Sequence, residues 1–216
     1  MKNNNKIFLG EFIASCFLVM VIVGSGIMAE NLTNDNAVRL LANTIATGAG
    51  LFVLITAFAN ISGAHLNPFV SLSMYLTKRI KGKELLTFIP AQILGCLLGV
   101  MLASVFFEHS ILELSTKNRD GFHIFLSEIV ATFGLIFIIF ATLKDGKTTV
   151  AACVATYISA GYWFTSSTSF ANPAVAIART FTDSFTGINY LNTPTYIFAE
   201  LLGAIVAIYI IKRLIK

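Results

Sequence analysis

The chain has 216 residues, of which 56% are hydrophobic and only 12% are charged. This composition lies far from the average of water-soluble domains and is typical of a membrane protein. The formal net charge is +4, but the basic residues stand at the ends of apolar runs and in the loops between them. That placement does not favour a nucleic-acid partner; the expected surroundings are the lipid bilayer.

Six apolar runs are long enough to cross the hydrocarbon core, which takes about 20 residues per helix. The first run contains Glu11 and has no cleavage site followed by a polar mature domain, so we interpret it as a retained helix. No water-soluble domain remains outside the runs, and we treat 1–216 as one domain. The runs lie near 7–29, 38–60, 84–107, 123–143, 149–166 and 194–215.

Lysine and arginine are distributed unequally around these runs. Of the 15 basic residues, eleven fall on one side of a six-helix threading, from Lys2 at one terminus to Lys216 at the other. Because cytoplasmic loops carry an excess of basic residues, we expect both termini in the cytoplasm and the chain in the cell (inner or plasma) membrane. The opposite side receives Arg39, Lys117, Arg119 and Arg179.

The chain also repeats itself. GEFIAS around Glu11 in the first run matches SEIVAT around Glu128 in the fourth, and PAQILGCLLG in the third matches FAELLGAIVA in the sixth. Each copy has three long helices, an odd number, so the second copy starts from the opposite side of the membrane. Such an inverted repeat, with halves at about 7–107 and 122–215, places a shared site at the midplane.

One Asn-Pro motif stands inside each half, in ISGAHLNPFVSL at 61–72 and SFANPAVAIA at 169–178. At membrane depth, non-helical backbone persists only where it lines a cavity or is buried in protein. Asn67 and Asn172 are good N-caps, and Pro68 and Pro173 suit the first helical position. About ten further residues span roughly 15 Å, half of the core. We therefore predict two re-entrant half-helices that meet at the midplane by their N-termini.

Two helix N-termini at the midplane bring partial positive charge there, which repels cations and protons. The amides of Asn67 and Asn172 can still donate hydrogen bonds to a neutral oxygen. Backbone carbonyls before each Asn would supply acceptors along one wall, which predicts a pore for neutral hydroxylated solutes. These carbonyls belong to Gly63, Ala64, His65, Ser169, Phe170 and Ala171.

The two motifs, the Glu-bearing helices, the repeat and the length together resemble the aquaporin and glycerol-channel family, the major intrinsic proteins, over essentially the whole chain. The resemblance implies an all-α membrane protein with six transmembrane helices and two re-entrant half-helices, and a homotetramer with a pore in every subunit. It also implies that Glu11 and Glu128 accept hydrogen bonds from the re-entrant loops. It implies no cofactor, and the histidines are too scattered for a metal site.

The resemblance further implies a selectivity filter a few residues from the Asn pair. Spacing to each Asn assigns Thr47, Ser169 and Val175, with Val175 standing where the family normally has arginine. The fifth-helix position falls near Ala160, within one or two residues. Because none of these residues is charged, we expect a wider and less polar opening than in water-selective members. This favours an aquaglyceroporin-like pore for polyols and water, with a water-selective aquaporin as the alternative.

The segment after the second motif, IARTFTDSFTGI, is similar to bacterial members linked to arsenic resistance, in which valine also replaces the arginine. Arsenous acid, uncharged at pH 7, is then a further expected solute.

Arg179 lies four residues after Val175, on nearly the same helix face. It has two interpretations: a displaced filter arginine at the mouth of the pore, or a surface partner of Asp183.

Ionisable residues within a membrane leave another class of protein open, because they are functional candidates by default. Glu11 and Glu128 could serve a proton-coupled secondary transporter with broken helices. Short loops and duplicated half-helices favour a fixed pore instead.

Phe69 departs from the family pattern, which has alanine there, and we expect it to pack between helices or else to narrow the pore. No nucleophile–base pair or phosphate loop indicates an enzyme.

Overall fold

The computed structural model describes residues 4–214, and over that range it contains helices and no strands. Lys2, Lys216 and the last residue of the sixth predicted span lie outside the described residues. The predicted architecture of six long helices and two half-helices is confirmed. In chain order the helices are α1 (Asn4–Leu32), α2 (Asn36–Phe58), α3 (Pro68–Leu76), α4 (Gly82–Phe106), α5 (Phe122–Thr142), α6 (Lys147–Phe164), α7 (Pro173–Arg179) and α8 (Thr193–Leu214).

Five of the six long helices are long and apolar enough to cross a membrane, namely α1, α2, α4, α5 and α8. In the case of α5, the span also includes the 3-10 turn Leu143–Asp145 that follows it. The prediction of a multi-pass membrane protein is therefore confirmed. The sixth long helix, α6, has 18 residues and is the least apolar, because threonine, serine and tyrosine interrupt its run. It packs against both α2 and α5, so it is a full member of the bundle.

The tightest packing joins α1 to α4 and α5 to α8, the equivalent pairs of the two halves. Small residues make this possible, as in many membrane helix pairs. A Cβ added at Gly95 would overlap the Phe12 carbonyl, and one added at Gly99 would overlap the Cys16 carbonyl. Gly203 on α8 meets the Ile129 carbonyl of α5 in the same way. Backbone therefore lies directly against backbone at both crossings.

We expect Gly95→Ala to lower the thermal stability of the purified protein, because α4 would have to move away from α1. Overpacking of this kind costs about 1–3 kcal/mol. Gly24→Ala is the matched control, since a Cβ there would lie 3.5 Å from the Phe107 ring, an ordinary contact. Thermal unfolding in detergent measures both variants. Equal midpoints for Gly95→Ala and Gly24→Ala would contradict the close approach at Gly95.

Both half-helices begin as the sequence predicts. Asn67 Oδ1 accepts the Phe69 N–H at 2.9 Å, and Asn172 Oδ1 accepts the Ala174 and Val175 N–H groups at 3.1 and 3.4 Å. The proline after each Asn occupies the first turn. The half-helices α3 and α7 have nine and seven residues, respectively, and both pack against α4 and α8.

Candidate channel and its arginine vestibule

The two re-entrant loops are joined by a pair of equivalent hydrogen bonds. Asn67 Nδ2 donates to the Ala171 carbonyl at 2.6 Å, and Asn172 Nδ2 donates to the Leu66 carbonyl at 2.7 Å. Each acceptor is the residue just before the opposite Asn, so the two bonds follow the repeat. A side-chain amide has two N–H donors, and one on each Asn remains for another acceptor. Both Asn residues line the cavity described below.

The backbone before each Asn enters the left-handed region at the same two positions. The φ angles are 52° and 53° at Ala64 and Leu66, and 55° and 48° at Ser169 and Ala171. For residues with a side chain this conformation costs about 1–2 kcal/mol each. Strained backbone persists only where the surrounding contacts hold it. The equivalent residues of the two halves therefore need equivalent supports.

Glu11 supports the first loop. Its Oε1 accepts from the Ser62 hydroxyl at 2.5 Å and from the His65 N–H at 3.1 Å. Its Oε2 accepts from the Leu66 N–H at 2.7 Å and from Gln92 Nε2 at 2.8 Å. The side chain is fully buried, so these four donors replace water entirely. One carboxylate thus connects α1, the first loop and α4.

Two carboxylates support the second loop. Glu128 accepts the Phe170 and Ala171 N–H groups at 2.9 and 2.8 Å, and Glu200 accepts the Asn172 N–H at 2.9 Å. Glu200 occupies the position in this half that Gln92 occupies in the first. The sequence repeat already paired these two residues, but pairing alone did not indicate that Glu200 contacts the loop directly whereas Gln92 acts through Glu11 and Ser71. None of the three loop-supporting carboxylates, Glu11, Glu128 and Glu200, lines the cavity.

One cavity of about 540 Å³ passes both Asn residues. Its wall includes a stripe on α2 and a stripe on α6, each with a side chain every four residues. At about 1.5 Å per residue, each stripe is roughly 18 Å long. Charged residues stand at one end, at Arg79, Glu84 and Lys147, and Arg179 stands towards the other. The stripes consist of Thr47, Leu51 and Ile55 on α2, continued by Ala59 directly after its end, and of Val150, Val154, Ile158 and Tyr162 on α6.

The loops supply the polar part of the wall. Most of the predicted carbonyl residues line the cavity, namely Gly63, Ala64, His65, Ser169 and Phe170. The assignment of Ala171 to the pore wall is wrong, because this residue is fully buried and does not line the cavity. Its carbonyl accepts from Asn67 instead, because the two loops pack directly against each other at that point.

Three of the four predicted filter residues, Thr47, Ser169 and Val175, line the cavity together. Ala160 is wrong, because it lies on the exposed face of α6 and not among the lining residues. Two residues on, about 200° around a helix, Tyr162 faces the cavity and its hydroxyl donates to Thr47 Oγ1 at 3.1 Å. An error of two residues in the register of α6 thus replaces a small side chain by a large one.

Arg179 is buried and lines the cavity. Its Nε donates to the Thr186 carbonyl, and its guanidinium carbon lies 3.4 Å from the centroid of the Phe170 ring. The alternative that Arg179 pairs with Asp183 is wrong, since Asp183 accepts hydrogen bonds from Thr116 at 2.8 to 3.1 Å. We call the end of the cavity bounded by Phe170, Val175 and Arg179 the arginine vestibule.

Phe69 does not line the cavity. It is half-buried and packs against the hydrophobic core between the helices. The expectation that this ring packs between helices is confirmed.

Comparison with known proteins identifies the family. The family model described as "Major intrinsic protein" matches residues 1–161, more than half of the chain. The chain belongs to the major intrinsic protein family. Aquaglyceroporin AqpS of Rhizobium meliloti (strain 1021) is 46% identical over 208 residues, covering 96% of this chain and 89% of that protein. Aquaporin-4 of Rattus norvegicus is 28% identical over 211 residues, covering 94% of this chain and 65% of that protein.

The fold of this major intrinsic protein also matches a solved structure, the aquaglyceroporin from Plasmodium falciparum. The TM-score is 0.79, with 99% of this chain and 97% of that chain covered, at 21% sequence identity. At that identity the match concerns the fold alone. The family is one of channels and not of enzymes.

Proposed function

We propose that this protein is a passive membrane channel for small neutral solutes, above all glycerol-like polyols and water. The observation that carries the proposal is the single cavity that passes both Asn residues and reaches charged residues towards both ends. Its wall is mostly apolar on α2 and α6, apart from the Thr47 and Tyr162 hydroxyls, and polar along the two loops. A polyol can turn its hydroxyls to the loop groups and its carbon side to the apolar stripes.

Polyol selectivity is supported by the uncharged residues between the Asn pair and the arginine vestibule. Thr47, Tyr162, Ser169 and Val175 carry no formal charge, and Val175 is shorter than the arginine usual in the family. The aquaglyceroporin AqpS, 46% identical to this chain, supports the same selectivity. Arsenous acid is a further proposed solute because it is uncharged and similar in shape to a polyol.

A fixed pore accounts for the buried carboxylates better than a proton-coupled transporter does. Glu11 has hydrogen bonds from four donors and does not line the cavity. A proton carrier would need access to the solute path on at least one side. The surroundings of Glu11 and Glu128 favour their role as supports of the loops.

The proposed setting is the cell membrane, with both termini in the cytoplasm and four subunits in a homotetramer. Unequal distribution of lysine and arginine supports the orientation. Large exposed apolar side chains on the outer faces of the helices, such as Leu9, Ile45 and Val53, support contact with lipid or neighbouring subunits. We propose the halves 7–107 and 122–215 as the two copies of the repeat within this one domain.

Glycerol flux into proteoliposomes tests the proposed function. We expect flux well above that of empty liposomes, without any ion gradient, when shrinkage and reswelling are followed by light scattering. Flux of glycerol at background alongside fast water flux would favour the water-selective alternative. Flux that requires a proton gradient would favour a transporter. Arsenous acid is measured on the same preparation.

A blocked variant tests whether the cavity is the path. Val154→Trp should reduce glycerol flux to near background, because the indole would fill much of the cavity that Val154 lines. Val53→Trp is the matched control, since Val53 is 60% exposed on the outer face of α2 and should leave the flux unchanged. Equal flux through both variants would contradict the assignment of the path.

A further inference from the structure

Three cations gather beside the arginine vestibule. Arg179 comes from the end of α7, while Lys117 and Arg119 come from the segment between α4 and α5. The guanidinium carbons of Arg179 and Arg119 lie 3.4 and 5.4 Å from the centroid of the same Phe170 ring, so the two arginines are neighbours. Lys117 is close to Arg119, because Lys117 Nζ and Arg119 Nη2 both donate to the Phe185 carbonyl, at 2.8 and 3.0 Å.

No carboxylate forms an ion pair with Arg119 or Arg179 within the described part of the chain, and their hydrogen bonds go to neutral groups, the carbonyls of Phe185, Gly187 and Thr186 and the Tyr196 hydroxyl beside Arg119. The acids whose charge reaches the group have other partners: Glu30 accepts the Phe185 N–H at 2.7 Å, and Glu128 accepts two loop N–H groups at 2.9 and 2.8 Å. Three cations are therefore only partly compensated. The pKa of Lys117 is lowered to about 8, first by burial and then by the charge of Arg119.

Buried charges in proteins are almost always paired. Arg179 is only 2% exposed, yet its one hydrogen bond uses one of its five N–H donors. The remaining N–H groups of Arg179 can face the cavity that this residue lines. The missing member of the group is an anion.

We propose that the arginine vestibule binds a small carboxylate anion, of the size of formate or acetate, between Arg119 and Arg179. Guanidinium groups match the two oxygens of a carboxylate with parallel N–H donors, which a spherical anion cannot exploit. The Phe170 ring holds both guanidinium groups in place. Val175, one turn before Arg179, leaves room for the anion at the wall. The site goes beyond neutral-solute conduction, and its occupancy does not depend on conduction.

A bound anion would stand in the path of neutral solutes. Formate present at equal concentration on both sides of the membrane should therefore reduce glycerol flux in a saturable way. This second consequence rests on the proposed function, whereas binding does not. Binding without any glycerol flux would contradict the channel and leave the anion site standing, so the two failures are distinguishable.

Thermal unfolding of the full chain in detergent tests the binding directly. At pH 7 and constant ionic strength, replacing chloride by formate should raise the midpoint in a saturable way. Arg119→Gln should weaken the apparent affinity for formate by about tenfold, the order expected for the loss of a charged bidentate contact. Arg39→Gln, which also removes one cation from the loops on that side, should leave the affinity unchanged.

Several results would overturn the site. An equal midpoint in chloride and in formate would contradict a site for carboxylates, and unchanged formate affinity in Arg119→Gln would show that Arg119 is not part of the site. If Arg39→Gln lowered the formate affinity as much as Arg119→Gln does, binding would depend on net charge alone. If Arg119→Gln does not fold, Arg119→Lys takes its place in the test, because lysine keeps the positive charge but lacks the parallel N–H donors of a guanidinium group. Its affinity should fall several-fold, and an unchanged affinity would again contradict the proposal.

Discussion

Replacing Glu11 by alanine should prevent the protein from accumulating in a folded form. The substitution removes the acceptor shared by four donors, namely the Ser62 hydroxyl, the N–H groups of His65 and Leu66, and the Gln92 amide, which keeps only its bond to Ser71 Oγ. Each unpaired buried donor costs about 1–3 kcal/mol. The sum is comparable with a whole folding free energy of about 5–15 kcal/mol. Yield of monodisperse protein and its unfolding midpoint measure the effect.

Two comparisons make this result specific. Glu113→Ala removes the same side chain from an exposed loop position and should leave yield and midpoint unchanged. Glu128→Ala should cause a smaller loss, because Glu128 accepts two loop N–H groups and Glu200 holds a third. Normal yield of Glu11→Ala, combined with an altered proton dependence of flux, would support the transporter alternative.

Val175→Arg should sharply reduce the permeation of glycerol and arsenous acid while water permeation falls less. Val175 is buried and lines the cavity with Thr47, Tyr162 and Ser169. An arginine there narrows the opening and adds five donors that hold water strongly. Because about 1.4 kcal/mol of extra barrier gives a tenfold slower rate, we expect glycerol flux to fall by about tenfold or more. Light scattering on one preparation gives the ratio of the fluxes.

Val175→Met is the matched control, since it lengthens the side chain without adding charge or donors. It should reduce glycerol flux less than Val175→Arg does. Arg179 lies one turn away and already faces the cavity, so the second guanidinium will also lower the stability of the variant. An unchanged ratio of glycerol to water flux in folded Val175→Arg would show that this residue does not line the narrow part of the path.

The sequence alone determined the elements and their order. Asn-Pro is a local signal, because an Asn side chain caps the helix that begins one residue later and Pro fits its first turn. The apolar runs are local as well, since hydrocarbon thickness sets their length. Glu11 and Glu128 could be matched across the repeat without coordinates. These features depend on near neighbours in the chain or on the bilayer, and both can be assessed from residue order.

Only the tertiary structure decided how distant residues meet. Ala160 was chosen by counting along the chain, but the rotation of α6 against α2 directs Tyr162 to Thr47 instead. Ala171 was assigned to the pore wall, yet its carbonyl bonds Asn67 across the loops. For Arg179 the sequence left two interpretations open, a position at the mouth of the pore or a surface pair with Asp183, and the folded chain places it in the cavity wall on Phe170 near Arg119. Each outcome depends on the rotation and contact of packed elements, and a rotation of two residues reverses which side chain faces the cavity.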